Sequence, residues 1–126
     1  MNLLIVDDSI LTRKAMSRIL EMVDLSIDTV YEAGNGAEAL SILGHHTIDL
    51  ILADLNMPEM GGIELIARMQ ESESQQRIPV IIISTESSTT RINQLLSQGA
   101  SHYLHKPFTP ETVRNAIEKT LGVVQE

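Results

Sequence analysis

The chain has 126 residues, the length of one domain, and 43% of them are hydrophobic, which is enough for a substantial core. With 17 acidic against 9 basic residues the net charge is −8, which argues against nucleic acid as a direct partner. The absence of cysteine excludes a disulfide framework, a thiolate nucleophile and a cysteine-based zinc site. Since there is neither a basic leader nor an apolar stretch near the ~20 residues of a membrane helix, we expect a cytoplasmic protein with no membrane partner.

Short apolar runs alternate with segments of helical period along the chain. Strands are predicted at 2–6, 28–32, 49–53, 79–83 and 101–105. Helices are predicted at about 9–22, from the turn at 33–36 to Leu43, and at about 63–71, 88–98 and 110–121. We expect Ser9 to cap the first helix, Gly44 to end the second, and Pro110 to begin the last. Five βα units predict one domain, 1–126, with a parallel sheet, helices on both faces and no output domain in this sequence.

Polar residues stand where four of these apolar runs stop. Asp7 and Asp8 follow the first strand, Asp54 the third, Ser84 the fourth and Lys106 the fifth. Because reacting groups collect at the carboxyl ends of the strands in an open parallel sheet, we expect these side chains to share one edge. Most of these residues also have an ordinary explanation when considered alone. Asp7 and Asp8 could be acids at the start of a helix, Ser84 could be a helix cap, and Lys106 could be a solvated lysine at a strand end.

Three aspartates at one edge repel one another, by roughly 4 kcal/mol per contact at ~4 Å and an effective dielectric near 20. A cation relieves that repulsion, and a few oxygen ligands suit Mg²⁺. Zinc is disfavoured because cysteine is absent and His45 and His46 lie far along the chain from the aspartates. Lys106 is the candidate cation for an anion's oxygen, and we predict that its bond to Pro107 is cis so that the side chain is aimed at Asp54.

These residues occur within five ordered motifs that span essentially the whole chain. The motifs are Val6-Asp7-Asp8-Ser9, Asp54-Leu55-Asn56-Met57-Pro58 with Gly61-Gly62, Ser84, Gly99-Ala100, and Lys106-Pro107-Phe108. Together they resemble the receiver domain of bacterial two-component response regulators, especially the small chemotaxis-type regulator. The resemblance implies an α/β, flavodoxin-like, doubly wound fold with five helices and a five-stranded parallel sheet in the order 2-1-3-4-5.

The resemblance also implies roles for the residues at the sheet edge. Asp54 would be the phosphoacceptor. Asp8 and Asp54, with the backbone carbonyl of Asn56, would bind Mg²⁺, and Asp7 would act through a bound water. Lys106 would bind an oxygen of the phosphoryl group, in keeping with phosphoryl transfer being mostly positioning and charge neutralisation.

A second set of residues would respond to the phosphoryl group. Ser84 would move to hydrogen-bond it, and Tyr103, otherwise a half-buried strand aromatic, would turn into the vacated space. Asn56, Thr85 and Glu86 occupy positions that influence the lifetime of the phosphoryl group or access to it in the family. Thr85 stands where a smaller residue is common, and its bulk beside Asp54 is expected to hinder water.

The expected function is a phosphorylation-dependent switch that catalyses only its own phosphoryl transfer and autodephosphorylation. Its expected partners are a sensor histidine kinase or phosphotransfer protein, and a downstream protein target or output domain. Arg13, Lys14 and Arg18 on the polar side of the first helix are candidates for docking the kinase.

Two other functions stay open from the residues. An Asp-nucleophile, Mg²⁺-dependent phosphatase of the haloacid-dehalogenase type needs similar groups, but it would want Asp-x-Asp near the first strand, whereas Asp54-Leu55-Asn56 lies mid-chain. A non-phosphorylated receiver-like interaction domain is the other alternative, and the intact set Asp7, Asp8, Asp54 and Lys106 argues against it.

Overall fold

The structure is a computed structural model that describes residues 1–122, so the end of the predicted domain, 123–126, lies outside the described residues. Five strands alternate with five helices. The strands are β1 Asn2–Val6, β2 Thr29–Ala33, β3 Leu50–Asp54, β4 Val80–Ser84 and β5 His102–His105. The helices are α1 Ile10–Met22, α2 Gly36–His45, α3 Gly62–Met69, α4 Thr89–Ser97 and α5 Pro110–Leu121. Within 1–122, none of the helices is long and apolar enough to cross a membrane.

All neighbouring strands are parallel, and the sheet order is β2-β1-β3-β4-β5, which confirms the predicted fold class and strand order. The order reverses at β1, which pairs with β2 on one side and β3 on the other. Val6 is in register with both Ala33 and Ala53, so β1 and β3 end side by side. That is the edge where ligands bind in open α/β sheets.

The core lies in two layers, one on each face of the sheet. On one face, Leu4, Ile51 and Ile82 pack with buried residues of α2, α3 and α4. On the other, Leu3 and Ile81 pack with buried residues of α1 and α5. Because both faces of the central strands are covered, these strands are apolar at successive positions rather than at every second one.

Most strands begin and end one residue later than predicted. The polar residues Asp54 and Ser84 are the last residues of β3 and β4, whereas the prediction placed them just beyond the strands. The reason is that sheet pairing continues past the apolar run: Asp54 is in register with Ile83 of β4. The last strand positions therefore hold polar side chains rigidly at the edge of the sheet.

The prediction that Gly44 ends the second helix is wrong. Gly44 lies inside α2, which continues to His45, and the N–H of His46 donates to the carbonyl of Ile42. The helix leaves through His46 in extended backbone, so it has no need of a left-handed residue at Gly44. The predicted turn at 33–36 is also shorter, since Asn35 caps α2 by accepting from the N–H of Glu38.

The other predicted helix signals are confirmed. The Ser9 hydroxyl accepts from the N–H of Thr12, and Pro110 is the first residue of α5. Gly99 follows α4 with φ 116°, a backbone conformation that glycine adopts without strain. Gly62 matters to the site, because a Cβ there would lie 2.8 Å from the carbonyl oxygen of Asp54. A glycine is thus required for α3 to start against the end of β3.

Candidate functional site

Three carboxylates meet at the carboxyl ends of β1 and β3. Asp7, Asp8 and Asp54 each offer an oxygen, and these oxygens lie within 4.8 Å of one another. The predicted cluster of aspartates therefore forms. Asp7 and Asp54 are buried, at 3% and 8% exposure, whereas Asp8 is exposed. The cluster thus opens to solvent through Asp8, which leaves a path for an ion or a phosphoryl group to enter.

Lys106 brings the cation to the same cluster. Its Nζ lies 3.3 Å from Oδ1 of Asp54 and 3.8 Å from Oδ2 of Asp7. The bond between Lys106 and Pro107 is cis, as predicted. One ammonium shared by two carboxylates neutralises only part of their charge.

Burial raises the pKa of the Asp54 carboxyl above its usual range, and nearby Asp7 and Asp8 raise it further. The positive charge of Lys106 opposes both effects and lowers that pKa. The cluster as it stands is therefore short of positive charge. Its donors are carboxylate oxygens without nitrogen or sulfur ligands, which fits Mg²⁺ rather than zinc.

Asn56 lies just beyond β3, two residues after Asp54, with its side chain exposed. It is thus on the same edge of the sheet as the carboxylates. His45 and His46, by contrast, lie at the end of α2, where the ring of His46 stacks on Tyr31 with centroids 4.6 Å apart. The histidines take no part in the carboxylate cluster.

Ser84 and Tyr103 meet in the segment that follows β4. Ser84 is 6% exposed, and its Oγ accepts a hydrogen bond of 3.1 Å from the N–H of Glu86. The Tyr103 hydroxyl faces the backbone carbonyls of Ser84, at 2.9 Å, and Glu86, and its single proton serves one of them at a time. Burial raises the pKa of Tyr103, so the hydroxyl stays a donor at neutral pH. Tyr103 therefore ties β5 to the β4–α4 loop.

The two remaining predicted residues of that loop point in different directions. Glu86 is half-buried, and its Oε1 accepts from the N–H of Ser88 at the start of α4. Thr85 is exposed and lines a groove of about 440 Å³ together with Leu11, Lys106 and Phe108. Thr85 thus stands at an opening next to the cation of the site.

The surroundings of Arg13 differ from the sequence interpretation, which grouped it with Lys14 and Arg18 on the polar side of the first helix as a candidate for docking a kinase. Its side chain is only 15% exposed, and its Nη1 donates to the backbone carbonyl of Asp7 at 2.6 Å. Its Nε donates to Oε1 of Glu32 at 3.0 Å. Helical periodicity does not reveal such partners. The one feature of the sequence that could have indicated an ion-pair partner for Arg13 is Glu32, an acid within the predicted strand 28–32.

Comparison with known proteins agrees with this geometry. The sequence profile of the response regulator receiver domain matches residues 3–118. A chemotaxis protein CheY homolog of Campylobacter jejuni is 34% identical over 123 residues, which is 97% of this chain and 93% of that protein. The chemotaxis protein CheY1 of Helicobacter pylori is also 34% identical, over 97% of this chain and 98% of its own length.

Solved structures show the same fold. The chemotaxis response regulator CheY4 of Vibrio cholerae superposes with a TM-score of 0.82 at 31% identity, covering 94% of this chain and 97% of that one. A probable two-component response regulator/GGDEF domain protein has a TM-score of 0.83 at 33% identity, covering 97% of this chain but 49% of the other. The profile match, the relatives and the shared fold show that the chain belongs to the response regulator receiver family of two-component signal transduction.

Proposed function

We propose that this chain is a phosphorylation-dependent signalling switch that accepts a phosphoryl group on Asp54 from a sensor histidine kinase or phosphotransfer protein. The observation that carries the proposal is one cluster in which the nearly buried Asp54 lies beside Asp7, Asp8 and the ammonium of Lys106. Membership of the receiver family supports the same role.

In the proposed transfer, one carboxylate oxygen of Asp54 attacks the phosphorus of a phosphohistidine. The new P–O bond makes an acyl phosphate, and the donor's imidazole nitrogen leaves with the electron pair of the broken P–N bond. Lys106, at 3.3 Å from Asp54, keeps the nucleophile ionised and then holds an oxygen of the transferred group. Such transfer depends on positioning and charge neutralisation, which buried, fixed side chains provide.

The oxygen donors fit Mg²⁺, and the proposed ligands are Asp8, Asp54 and the backbone carbonyl of Asn56, with Asp7 acting through a bound water. When bound, Mg²⁺ supplies the positive charge that the carboxylates and the phosphoryl oxygens require. Lys106 alone leaves that charge incomplete, since it is shared between Asp7 and Asp54.

The proposed switch lies in the β4–α4 loop. A phosphoryl group on Asp54 brings roughly −1.5 to −2 of charge and new acceptor oxygens. The Ser84 hydroxyl, which now accepts from Glu86, would turn to donate to one of them. Because Tyr103 bonds to the backbone carbonyls of Ser84 and Glu86, that movement would reach Tyr103 and the surface of α4, β5 and α5.

We propose that this surface contacts a downstream protein target or an output domain in the cytoplasm. Relatives of nearly the same length include chemotaxis proteins, which favours a separate target. The relative described as a response regulator/GGDEF domain protein is about twice as long as the matched region, which supports an attached output domain as the alternative.

The test is incubation of the chain with acetyl phosphate or phosphoramidate in Mg²⁺, followed by intact-protein mass spectrometry and a phosphate-release assay. The switch predicts a stoichiometric phospho-protein in the wild type and none in Asp54→Asn. Continuous multiple turnover of the donor without a phospho-protein would instead identify an Asp-nucleophile phosphatase. If neither phospho-protein nor phosphate release is detected, the chain is a non-phosphorylated interaction domain and the proposed function is wrong.

A further inference from the structure

Arg13 connects three elements next to the carboxylate cluster. It lies in α1, its Nη1 donates to the carbonyl of Asp7 at the end of β1, and its Nε donates to Glu32 of β2. A Cβ on Gly34, in the turn after β2, would lie 3.6 Å from Nη1, so the guanidinium also reaches this turn. With 15% exposure, the side chain is fixed within the fold.

The backbone carbonyl of Asp7, to which Arg13 donates, helps to set the direction of the main chain at Asp8. The carbonyl of Asp7 belongs to the same planar peptide unit as the N–H of Asp8. Asp7 is also held at its N–H, which donates to Ala33 at 3.0 Å, and at Oδ1, which accepts from Ser9 at 2.8 Å. Arg13 supplies the remaining constraint, so the plane that leads into Asp8 cannot turn freely.

Asp8 depends on that constraint more than Asp7 does. It is exposed, and within residues 1–122 its carboxylate makes no hydrogen bond. The position of its carboxylate near the oxygens of Asp7 and Asp54 therefore depends on the conformation of the Asp8 backbone. A ligand without supporting hydrogen bonds of its own is positioned by the groups that fix its main chain.

We propose that Arg13 is a positioning residue for the metal site: by holding the Asp7 carbonyl, it presents the Asp8 carboxylate for Mg²⁺, and Glu32 holds Arg13 in place. The inference rests on the proposed function, in which Asp8 and Asp54 bind Mg²⁺. It replaces the interpretation of Arg13 as a kinase-docking residue, because a largely covered guanidinium that donates hydrogen bonds to both Asp7 and Glu32 is not free to meet a partner.

Lys14 is a matched control on the same helix. It contacts the other oxygen of the same Glu32, at 3.4 Å, but its side chain is 65% exposed and it makes no bond to Asp7. Loss of either cation removes the same charge near the site. By charge alone, both losses would leave Mg²⁺ binding unchanged or tighter, whereas positioning predicts weaker binding only for Arg13. For Arg13→Gln, the charge explanation therefore predicts unchanged or tighter Mg²⁺ binding, and the positioning explanation predicts weaker Mg²⁺ binding.

The experiment is calorimetric titration of the full chain with Mg²⁺ for wild type, Arg13→Gln, Arg13→Lys, Lys14→Gln and Asp8→Asn, with urea unfolding of each to establish that it is folded. We expect Arg13→Gln to weaken binding about tenfold or more, as loss of groups that orient metal ligands does elsewhere. Arg13→Lys should also bind more weakly than wild type, since an ammonium lacks the fork that reaches Asp7 and Glu32 together. Lys14→Gln should bind as tightly as wild type or more tightly.

Wild-type affinity in a folded Arg13→Gln would overturn the inference, and so would an equal weakening by Lys14→Gln. Should Arg13→Gln fail to fold, Arg13→Lys decides: weaker binding supports the positioning role, and wild-type binding overturns it. Failure of the wild type itself to bind Mg²⁺, or unchanged binding in Asp8→Asn, would instead refute the metal site of the proposed function.

Discussion

Asp54 is a carboxylate whose surroundings act on its charge in opposite directions. Burial and the neighbouring aspartates favour its protonated form, while Lys106 favours its ionised form, and the net result is a raised pKa. A carboxyl whose pKa is raised by folding stabilises the folded state below its unfolded pKa of about 3.8, and that stability is lost as pH rises through the folded pKa. Once the pH is above that folded pKa, the ionised form of Asp54 therefore lowers the stability of the fold.

Asp54→Asn should remove that cost. In the absence of Mg²⁺ we expect the variant to be as stable as the wild type or more stable at neutral pH. Its advantage should shrink as the pH falls through the folded pKa of Asp54. Urea unfolding from about pH 4 to about pH 8 measures this, with Asp24→Asn at an exposed position as the control. An advantage that grows toward low pH would show that the sign of the Asp54 pKa shift is wrong.

We expect Thr85 to influence the lifetime of the phosphoryl group. Its exposed, β-branched side chain lies at the groove beside Lys106, where we propose that it restricts the approach of water to a phosphoryl group on Asp54. We expect Thr85→Ala to speed loss of the phosphoryl group several-fold, a change that needs only about 1 kcal/mol of barrier. The measurement is decay of phospho-protein in Mg²⁺ after donor removal.

Thr47→Ala serves as the control for Thr85→Ala, because Thr47 is also exposed but precedes β3, at the opposite edge of the sheet. Its decay rate should match that of the wild type. An unchanged or slower decay in Thr85→Ala would mean that Thr85 does not obstruct the path of water.

The β4–α4 loop runs from Ser84 at the end of β4 to Ser88 at the start of α4. The serine at the end of β4, the tyrosine of β5 and the backbone between Ser84 and Ser88 are joined by a few hydrogen bonds. Elements that move in signalling are drawn from such weakly held segments. We therefore expect the loop to change when a phosphoryl group on Asp54 competes for Ser84.

Tyr103→Phe should loosen this loop without disturbing the core. The ring keeps its packing, but the carbonyls of Ser84 and Glu86 lose the hydroxyl donor, at a cost of about 1 kcal/mol. Hydrogen exchange should accelerate at the amides of residues 85–88. Tyr31→Phe is the matched control and should leave that exchange unchanged, since Tyr31 stacks on His46 away from the loop. Equal exchange in wild type and Tyr103→Phe would disprove the tie between β5 and the loop.

For the molecule as a whole, the parallel sheet and the cluster of aspartates followed from apolar runs of strand length that end in polar residues. The strand order followed from the resemblance to the receiver family. Element ends were less predictable, since pairing with a neighbouring strand carried Asp54 and Ser84 into β3 and β4. The prediction that Gly44 ends α2 was wrong for a related reason, since a glycine favours the end of a helix where the chain turns into the left-handed conformation. The partners of Arg13 depended on the strand beside β1, which no local pattern of α1 contains.

The fold and the proposed metal site should be thermodynamically linked. A ligand that binds only the folded chain stabilises it by RT ln(1 + [L]/Kd), about 2.7 kcal/mol at a hundredfold excess over Kd. We expect Mg²⁺ to raise the unfolding free energy of the wild type by this amount and to have little effect on Asp8→Asn. Urea unfolding with Mg²⁺ or with a chelator measures the difference. Equal stabilisation of both proteins would place the ion away from the aspartates.

Locating the phosphoryl group tests directly whether Asp54 is the phosphoacceptor. The wild type is phosphorylated with phosphoramidate in Mg²⁺, the acyl phosphate is reduced with borohydride, and the peptides are mapped by mass spectrometry. Reduction converts a phosphorylated aspartate to homoserine, so we expect homoserine at position 54 and at no other aspartate, with none in Asp54→Asn. Homoserine at Asp7 or Asp8, or a full yield of phospho-protein in Asp54→Asn, would contradict it.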